Sequence, residues 1–498
     1  MPRIVLLWTD AALFLLLAGV LLYAWRARRS PSVRGAWARV ARDTPAMCAA
    51  VVLVAFALVG LLDSIHYRPL LPPAPGAAAD APRAYAPAVR SVLDALMDGS
   101  GLASPEKTYS APLATRQFAK ETVLDGGEPV REFPRLAFGG AHLADPDAPR
   151  AADVLGRLAA GLGAGLAAAL AAGALAAALL ARRHGSWRQA AGAIARGRTE
   201  LPWRAMWLTL ALLCLAAGAL AGLASGYHPF GTDRTGNDVL WQALKSVRTA
   251  LVIGSLTTLA MMPPAIVFGI AAGYFKGRID DVIQYLYTTL TSIPGVLLIA
   301  ACVLMMQVYI DGNPGAFPTS AERADLRLFL LCLILGLTGW AGLCRLLRAE
   351  TLKLRELEYV QAARAFGVSH LRIMRRHLLP NVMHIVLITG VLEFSGLVLY
   401  EAVLSYLGIG VDPTMNSFGS MIDMARLEMS RDPMIWWNLA TAFLFMLALV
   451  LAANLFSDAV RDAFDPRTRK FAPGAPVAGG PALAGAPLPA DASAKGGA

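Results

Sequence analysis

Long apolar runs separated by short basic connections dominate the pattern along the chain. Nine stretches approach the roughly 17–25 residues that a helix needs to cross hydrocarbon. They lie near 4–25, 46–62, 157–181, 205–225, 249–274, 284–310, 327–347, 383–408 and 435–457. A spanning backbone in lipid must satisfy its own hydrogen bonds, so runs of this length read as helices. The predicted fold is therefore all-α: a polytopic transmembrane helix bundle of about nine spans. The run at 157–181 is almost wholly Ala, Gly and Leu, and it places Gly161 and Gly165 at the spacing that lets a second helix approach closely.

Basic residues then orient the spans. Arginines gather at Arg26–Arg42, at Arg182–Arg204, between Arg345 and Arg376, and from Arg461 to Lys470. With alternating crossings all four groups fall on one side, which the positive-inside rule makes cytoplasmic, with the N-terminus outside and the C-terminus inside. The first run is followed, not preceded, by Arg26, Arg28 and Arg29, the reverse of a secretory leader, and reads as a retained span. The long connection at 63–152 would lie outside. It opens on the linker prolines Pro69, Pro72, Pro73 and Pro75, and its segment Val89–Asp98 has helical spacing. From Ala472 onward the chain is Ala, Gly and Pro with few bulky side chains, a composition expected to be disordered.

Composition agrees with a membrane protein. Of 498 residues 56% are hydrophobic and 16% charged, outside the range of soluble domains. The net charge of +10 sits beside the spans, so it is assigned to topology and no nucleic-acid partner is expected. Cys48, Cys214, Cys302, Cys332 and Cys344 lie in or near apolar runs without paired spacing, so neither a disulfide set nor a metal site is read from them. His370, His377 and His384 recur every seven residues, but Pro380 interrupts the helix and no further ligand completes a set. The chain has no G-x-x-x-x-G-K-[ST], G-x-S-x-G or H-E-x-x-H, so no catalytic residue and no cofactor is predicted.

Chemistry concentrates in the connection EYVQAARAFGVSHLRIMRRHLLPN, Glu358–Asn381. Residues Tyr359–Phe366 make about two helical turns, with small Ala362 and Ala363 on one side. Gly367 is suited to a left-handed stop, and Ser369 can cap a second helix that carries Leu371, Met374 and Leu378 on one face until Pro380 ends it and starts the next span. Such a helix-turn-helix suits insertion into a groove on a partner; the alternative is a basic amphipathic helix resting on anionic lipid.

This connection resembles the EAA loop of ABC importer permeases. The triplet is Gln361-Ala362-Ala363, the glycine is Gly367 and the closing pair is Leu379-Pro380. Gln361 replaces the usual acid, so a neutral hydrogen bond would stand in for a charge contact. A second segment, HPFGTDRTGNDV, is similar to the signature of the dipeptide and oligopeptide importer permeases, through His228, Pro229, Gly231, Thr232, Asp233, Gly236 and Asp238. Asn237 stands where the family commonly has arginine. Its prolines and glycines favour tight turns, and its aspartates can accept backbone hydrogen bonds. The stretches beginning at Gly273, Leu404 and Asn454 continue the likeness, which runs from about Tyr227 to Arg467.

The resemblance implies a non-enzymatic permease subunit in the bacterial inner membrane. Its partners would be a second permease, two ATP-binding subunits, an extracytoplasmic solute-binding protein and membrane lipid. The chain then divides into added N-terminal helices at 1–62, an extracytoplasmic subdomain at 63–152, two further spans at 153–226, a permease core at 227–467 with its coupling loop at 358–381, and a tail at 468–498. The family usually has one span before the His-Pro signature and this chain has four, through N-terminal addition or through two spans inserted into an enlarged first loop. Glu393 and Glu401 fall within or at the end of the eighth span, where carboxylates are costly enough to mark function. Glu401 reads as a structural or gating hydrogen-bond partner. Glu393 either lines the pathway and meets a solute amino group or bonds Ser395 or Thr389. Peptides, nickel, glutathione and peptide antibiotics remain open as solutes. A secondary transporter coupled through Glu393, or a scaffold whose 63–152 region binds a ligand, are the rival classes.

Overall fold

The apolar runs form helices, and the turns between them fall where proline, glycine or charge interrupts hydrophobicity. The computed structural model describes residues 3–71, 85–125, 128–145, 149–184, 186–313, 315 and 319–465. Linker residues Pro72, Pro73 and Pro75, the end of the family likeness at Arg467 and the tail expected to be disordered lie outside them.

Four apolar helices precede the His-Pro segment: α1 (Trp8–Arg29), α3 (Thr44–Asp63), α5 (Ala151–His184) and α7 (Trp203–Ala224). Two short amphipathic helices join them at one end, α2 (Pro31–Val40) and α6 (Trp187–Ala195). The C-terminal half holds α8 (Val239–Phe275), α9 (Arg278–Ser292), α10 (Gly295–Gly312), α11 (Ser320–Gly339), α12 (Ala341–Leu354), α13 (Glu358–Ala365), α14 (His370–Ile373), α15 (Leu379–Tyr406), α16 (Phe418–Glu428) and α17 (Trp437–Phe464). Among the described residues eight helices are long and apolar enough to cross a membrane, or nine if the pair α11–α12, bent by 40°, is one span.

Two predicted elements are corrected. The run at 284–310 is not one helix: it breaks before Pro294, which lacks an amide proton. Its first part belongs to α9, whose polar Asp280, Asp281 and Gln284 make it amphipathic. The helix expected over Val89–Asp98 shrinks to α4 (Val92–Met97), because Ser91 forms a capping box with Asp94 and Arg90–Ser91 is strand β3. That strand pairs with β2 (His66–Arg68), which pairs in turn with β1 (Arg3–Val5), tying the starts of α1 and the subdomain to the end of α3. A hairpin of β4 (Glu121–Asp125) and β5 (Glu128–Glu132) completes the strands among the described residues.

The core lies along α8. This helix packs against α3, α11, α12 and α15, and α17 crosses α3 and α15. The hairpin α5–α7 reaches the rest of the bundle through α3. Gly161 and Gly165 face Gly218 and Cys214 so closely that a Cβ on either glycine would overlap the opposing carbonyl. Trp207 on α7 donates to the Ala169 carbonyl at 3.0 Å and fills the space beside Gly173.

Candidate functional site

Two regions at opposite ends of α8 carry the residues singled out in the sequence. At its start, the His-Pro segment folds into a network of hydrogen bonds. Gly231 and Gly236 adopt φ of +71° and +80°, where a Cβ is disfavoured, and a side chain on Gly236 would collide with Glu106. Asp233 accepts from the Thr235 and Asn237 amides, each at 2.8 Å. Asn237 donates its side-chain amide to Thr235, so no ion pair forms at this position. Asp238 caps α8 by accepting from Leu240 at 2.8 Å and Trp241 at 3.1 Å. Thr232 takes the Ser110 amide proton and donates to Thr108, while Trp437 donates to the Thr232 carbonyl.

His228 sits inside this network between two buried carboxylates, Asp238 at 2.7 Å on Nδ1 and Glu106 at 3.3 Å on Nε2. Burial opposes its charge, but the two carboxylates prevail and raise its pKa to about 9. Burial likewise opposes ionisation of Glu106, yet His228 and the Ala137, Phe138 and Gly139 amides lower its pKa to about 2. Glu106 is a residue that the sequence reading missed. It comes from the 63–152 connection, more than a hundred residues before its partner, and no local pattern marks it. Pro229, next to His228, begins the turn that brings these groups together.

The other end of α8 meets the helix-turn-helix. Lys276 and Gly277 both have positive φ, turning the chain sharply into α9. Arg348 holds Asp280 through two bonds of 2.6 and 2.7 Å. Lys276 pairs with Glu356, and Arg355 donates to the Tyr274 carbonyl. Gly367 takes φ +74° with open space around it, in agreement with the predicted left-handed stop. Val360, Ile373 and Leu378 are buried against the α8 and α12 surface, and Ala363 packs there in part. Gln361 donates to the Glu356 carbonyl at 3.0 Å, and Ala362 is exposed.

Three expectations for this segment are corrected. Leu371 is not part of the buried face but 71% exposed, because Ile373 takes the inward position. Ser369 occupies the cap position without a side-chain cap bond. Pro380 starts the next span as expected, but it does not end the second helix. Residues Met374–Leu378 widen into a π turn that leads from α14 into α15 and places Leu379 and Pro380 in the first turn of α15, where proline is tolerated. The most exposed aromatic on the segment is Phe366, at 87%, beside Gly367 at the tip. The hydrophobic period alone marks it only as the end of a helix.

Glu401 is buried, 1% exposed, and accepts from Ser405 at 2.6 Å. Glu393 lies near the middle of α15 and is exposed. It does not bond Ser395, which sits two residues on and points to another face, where it donates to Asn454 on α17 at 2.6 Å. His370 pairs with Tyr274 and His384 with the Asn381 carbonyl, and the described residues hold no group of three metal-ligating side chains.

Comparison with known proteins adds to this geometry. The family model described as binding-protein-dependent transport system inner membrane component matches residues 265–470. The chain is 30% identical over 244 residues to the oligopeptide transport system permease protein OppC of Haemophilus influenzae, covering 49% of this chain and 72% of that protein. It is 29% identical over 246 residues to the dipeptide transport system permease protein DppC of Bacillus subtilis, covering 49% and 71%. Identity to the oligopeptide transport system permease protein OppC of Mycobacterium tuberculosis reaches 33% over 244 residues, with 49% and 77% covered.

Proposed function

Since the chain belongs to the family of binding-protein-dependent transport system inner membrane components, we propose that it is the peptide-class permease subunit of an ATP-driven ABC importer, moving solute from periplasm to cytoplasm. The observation that carries the coupling reading is the 358–381 segment: a braced base on α8 and α12, an open turn at Gly367, and an exposed Phe366 at its tip. One of two ATP-binding subunits would grip this tip, a second permease would complete the pathway, and a solute-binding protein would deliver cargo at the opposite end. ATP hydrolysis is assigned to the partners and none to this chain. Nucleotide-driven closure moves a lever of this kind only if the partner binds it differently in two states.

Within this reading the coupling residues are Gln361, Ala362, Ala363, Gly367, Leu379 and Pro380. The N-terminal end of α1 faces outside, and the C-terminal end of α17 faces the cytoplasm. The His-Pro network fixes the 63–152 subdomain to the start of α8, a scaffolding role for His228, Thr232, Asp233 and Asp238. Because α3 packs along α8 and α17 while α7 reaches the bundle through α3, the hairpin α5–α7 is assigned as the inserted pair of spans. Glu401 braces the end of α15. Glu393 faces the solute path, since a bare carboxylate at mid-span is costly against lipid.

Uptake into membrane vesicles carrying the complete importer tests the proposal. Peptide accumulation that requires internal ATP and persists with a protonophore supports it. Accumulation abolished by the protonophore and indifferent to ATP moves the assignment to a secondary transporter.

A further inference from the structure

A cavity at the basic end of the bundle is unused by the transport reading. It measures about 420 Å³ and lies between the start of α3 and the α6–α7 connection, lined by Arg42, Thr44, Glu200, Arg204, Ala205 and Leu208 among others. Among the described residues neither the Arg42 nor the Arg204 guanidinium has a side-chain hydrogen bond or ion pair. Arg248, Arg327 and Arg348, by contrast, are all paired with aspartates. Glu200 is the carboxylate in the lining, so the two guanidiniums leave the cavity net positive. Both α3 and α7 begin here without a side-chain cap, which leaves first-turn N–H groups to add to the positive potential.

A second cavity continues the same seam. It measures about 440 Å³ and is apolar, lined by Val52 and Phe56 of α3 and Leu213 and Ala217 of α7, with Leu96 and Met97 of α4 at its far end. Thr44 and Val52 share one row of α3, and Ala205 and Leu213 share one row of α7, because each pair is separated by two i,i+4 steps. At 1.5 Å per residue the apolar cavity begins ~12 Å deeper than the cationic one. Leu208 at the edge of the first cavity and Leu212 between the two on α7 are exposed.

We propose that this seam binds one phospholipid with an anionic headgroup, its phosphate between Arg42 and Arg204 and an acyl chain laid between α3 and α7. A cationic cavity at interface depth, followed along one seam by an apolar one, matches the two ends of such a molecule. A free anion would use only the first cavity. Basic pockets between spans at the cytoplasmic face are suited to anionic headgroups on electrostatic grounds. The bound lipid would fasten the α5–α7 hairpin to α3, whatever solute the importer carries.

Native mass spectrometry of the full chain in mild detergent, titrated with phosphatidylglycerol or with phosphatidylcholine of the same acyl chains, tests this. The expected result is retention of one phosphatidylglycerol in preference to phosphatidylcholine. The doubly substituted Arg42→Gln/Arg204→Gln chain should bind it about thirtyfold more weakly. The exposed pair Arg28→Gln/Arg34→Gln removes the same charge from the same end outside the cavity and should leave retention unchanged. Equal retention of the two lipids, undiminished binding by the Arg42/Arg204 variant, or an equal loss in the Arg28/Arg34 control would overturn the site. Displacement of phosphatidylglycerol by excess inorganic phosphate would overturn the lipid as its occupant.

Discussion

Arg248 of α8 donates to Oδ1 of Asp10 on α1 at 2.6 Å, and both side chains are buried. The same guanidinium reaches Asp325 on α11 at 3.3 Å and bonds Thr9 at 2.8 Å, while His66 sits 2.7 Å from the other oxygen of Asp10. One turn earlier, Lys245 pairs with Asp94 at 3.0 Å and Asp63 at 3.4 Å. An N-terminal helix outside the residues 265–470 that the family model matches is thus pinned to the core by charge at one end of the bundle. At the other, Trp37 of α2 packs edge-on against Phe464 of α17.

Removing one member of a buried pair leaves an uncompensated charge and costs about 3–5 kcal/mol. Asp10→Ala should therefore destabilise the detergent-solubilised chain by about 3 kcal/mol, the lower end, because Arg248 keeps Asp325. The exposed Asp43→Ala should change stability by less than about 0.5 kcal/mol. Denaturant unfolding measures both. Adding Arg248→Leu to Asp10→Ala should cost less than the two separate losses combined, since the partners are coupled.

The His228 network sets a pH window. Its imidazolium is stabilised by folding, so this contribution is complete below the unfolded value of 6.5 and is lost as pH rises through about 9. Glu106 contributes fully above its unfolded value of 4.5, and its share is lost as pH falls toward about 2. The subdomain should be most stable between these two unfolded values and weaken on the alkaline side, as read by hydrogen exchange at the Phe138 and Gly139 amides. Protection that stays constant to pH 9, or an unchanged alkaline loss in Glu106→Gln, would refute the assignment.

The α5–α7 contact makes a paired prediction. Gly161→Leu forces a side chain into the Gly218 carbonyl, whereas Gly163→Leu meets open space. Overpacking of this kind costs about 1–3 kcal/mol. Thermal unfolding should show that loss for Gly161→Leu and little change for Gly163→Leu. Equal behaviour of the two variants would contradict the close approach.

Hydrophobic length placed the spans because lipid imposes a helix on any run long enough to cross it. The breaks were harder to read. Pro294 ends a helix as its chemistry demands, yet Pro380 begins one, since the π turn before it moves proline into a first turn where no amide proton is missed. Gly367 was legible because a glycine between two helical patterns has few other uses. Glu106 was not: its partners lie near residues 137–139 and 228, and contacts of that separation leave no trace in local periodicity. Phe366 escaped for another reason. Exposure of a large aromatic becomes visible only when the surface that could cover it is seen to be missing.

The coupling segment makes the most direct test of the whole account. The tagged chain, purified from its native membrane in mild detergent, should bring an ATP-binding subunit identifiable by mass spectrometry. Phe366→Ser, which removes an 87% exposed side chain, and Gly367→Trp, which strains a φ of +74°, should each insert normally and lose that subunit. Recovery of the same subunit in undiminished amount with both variants, or of the intact wild-type chain reproducibly alone, would contradict the coupling of this permease to ATP through its 358–381 loop.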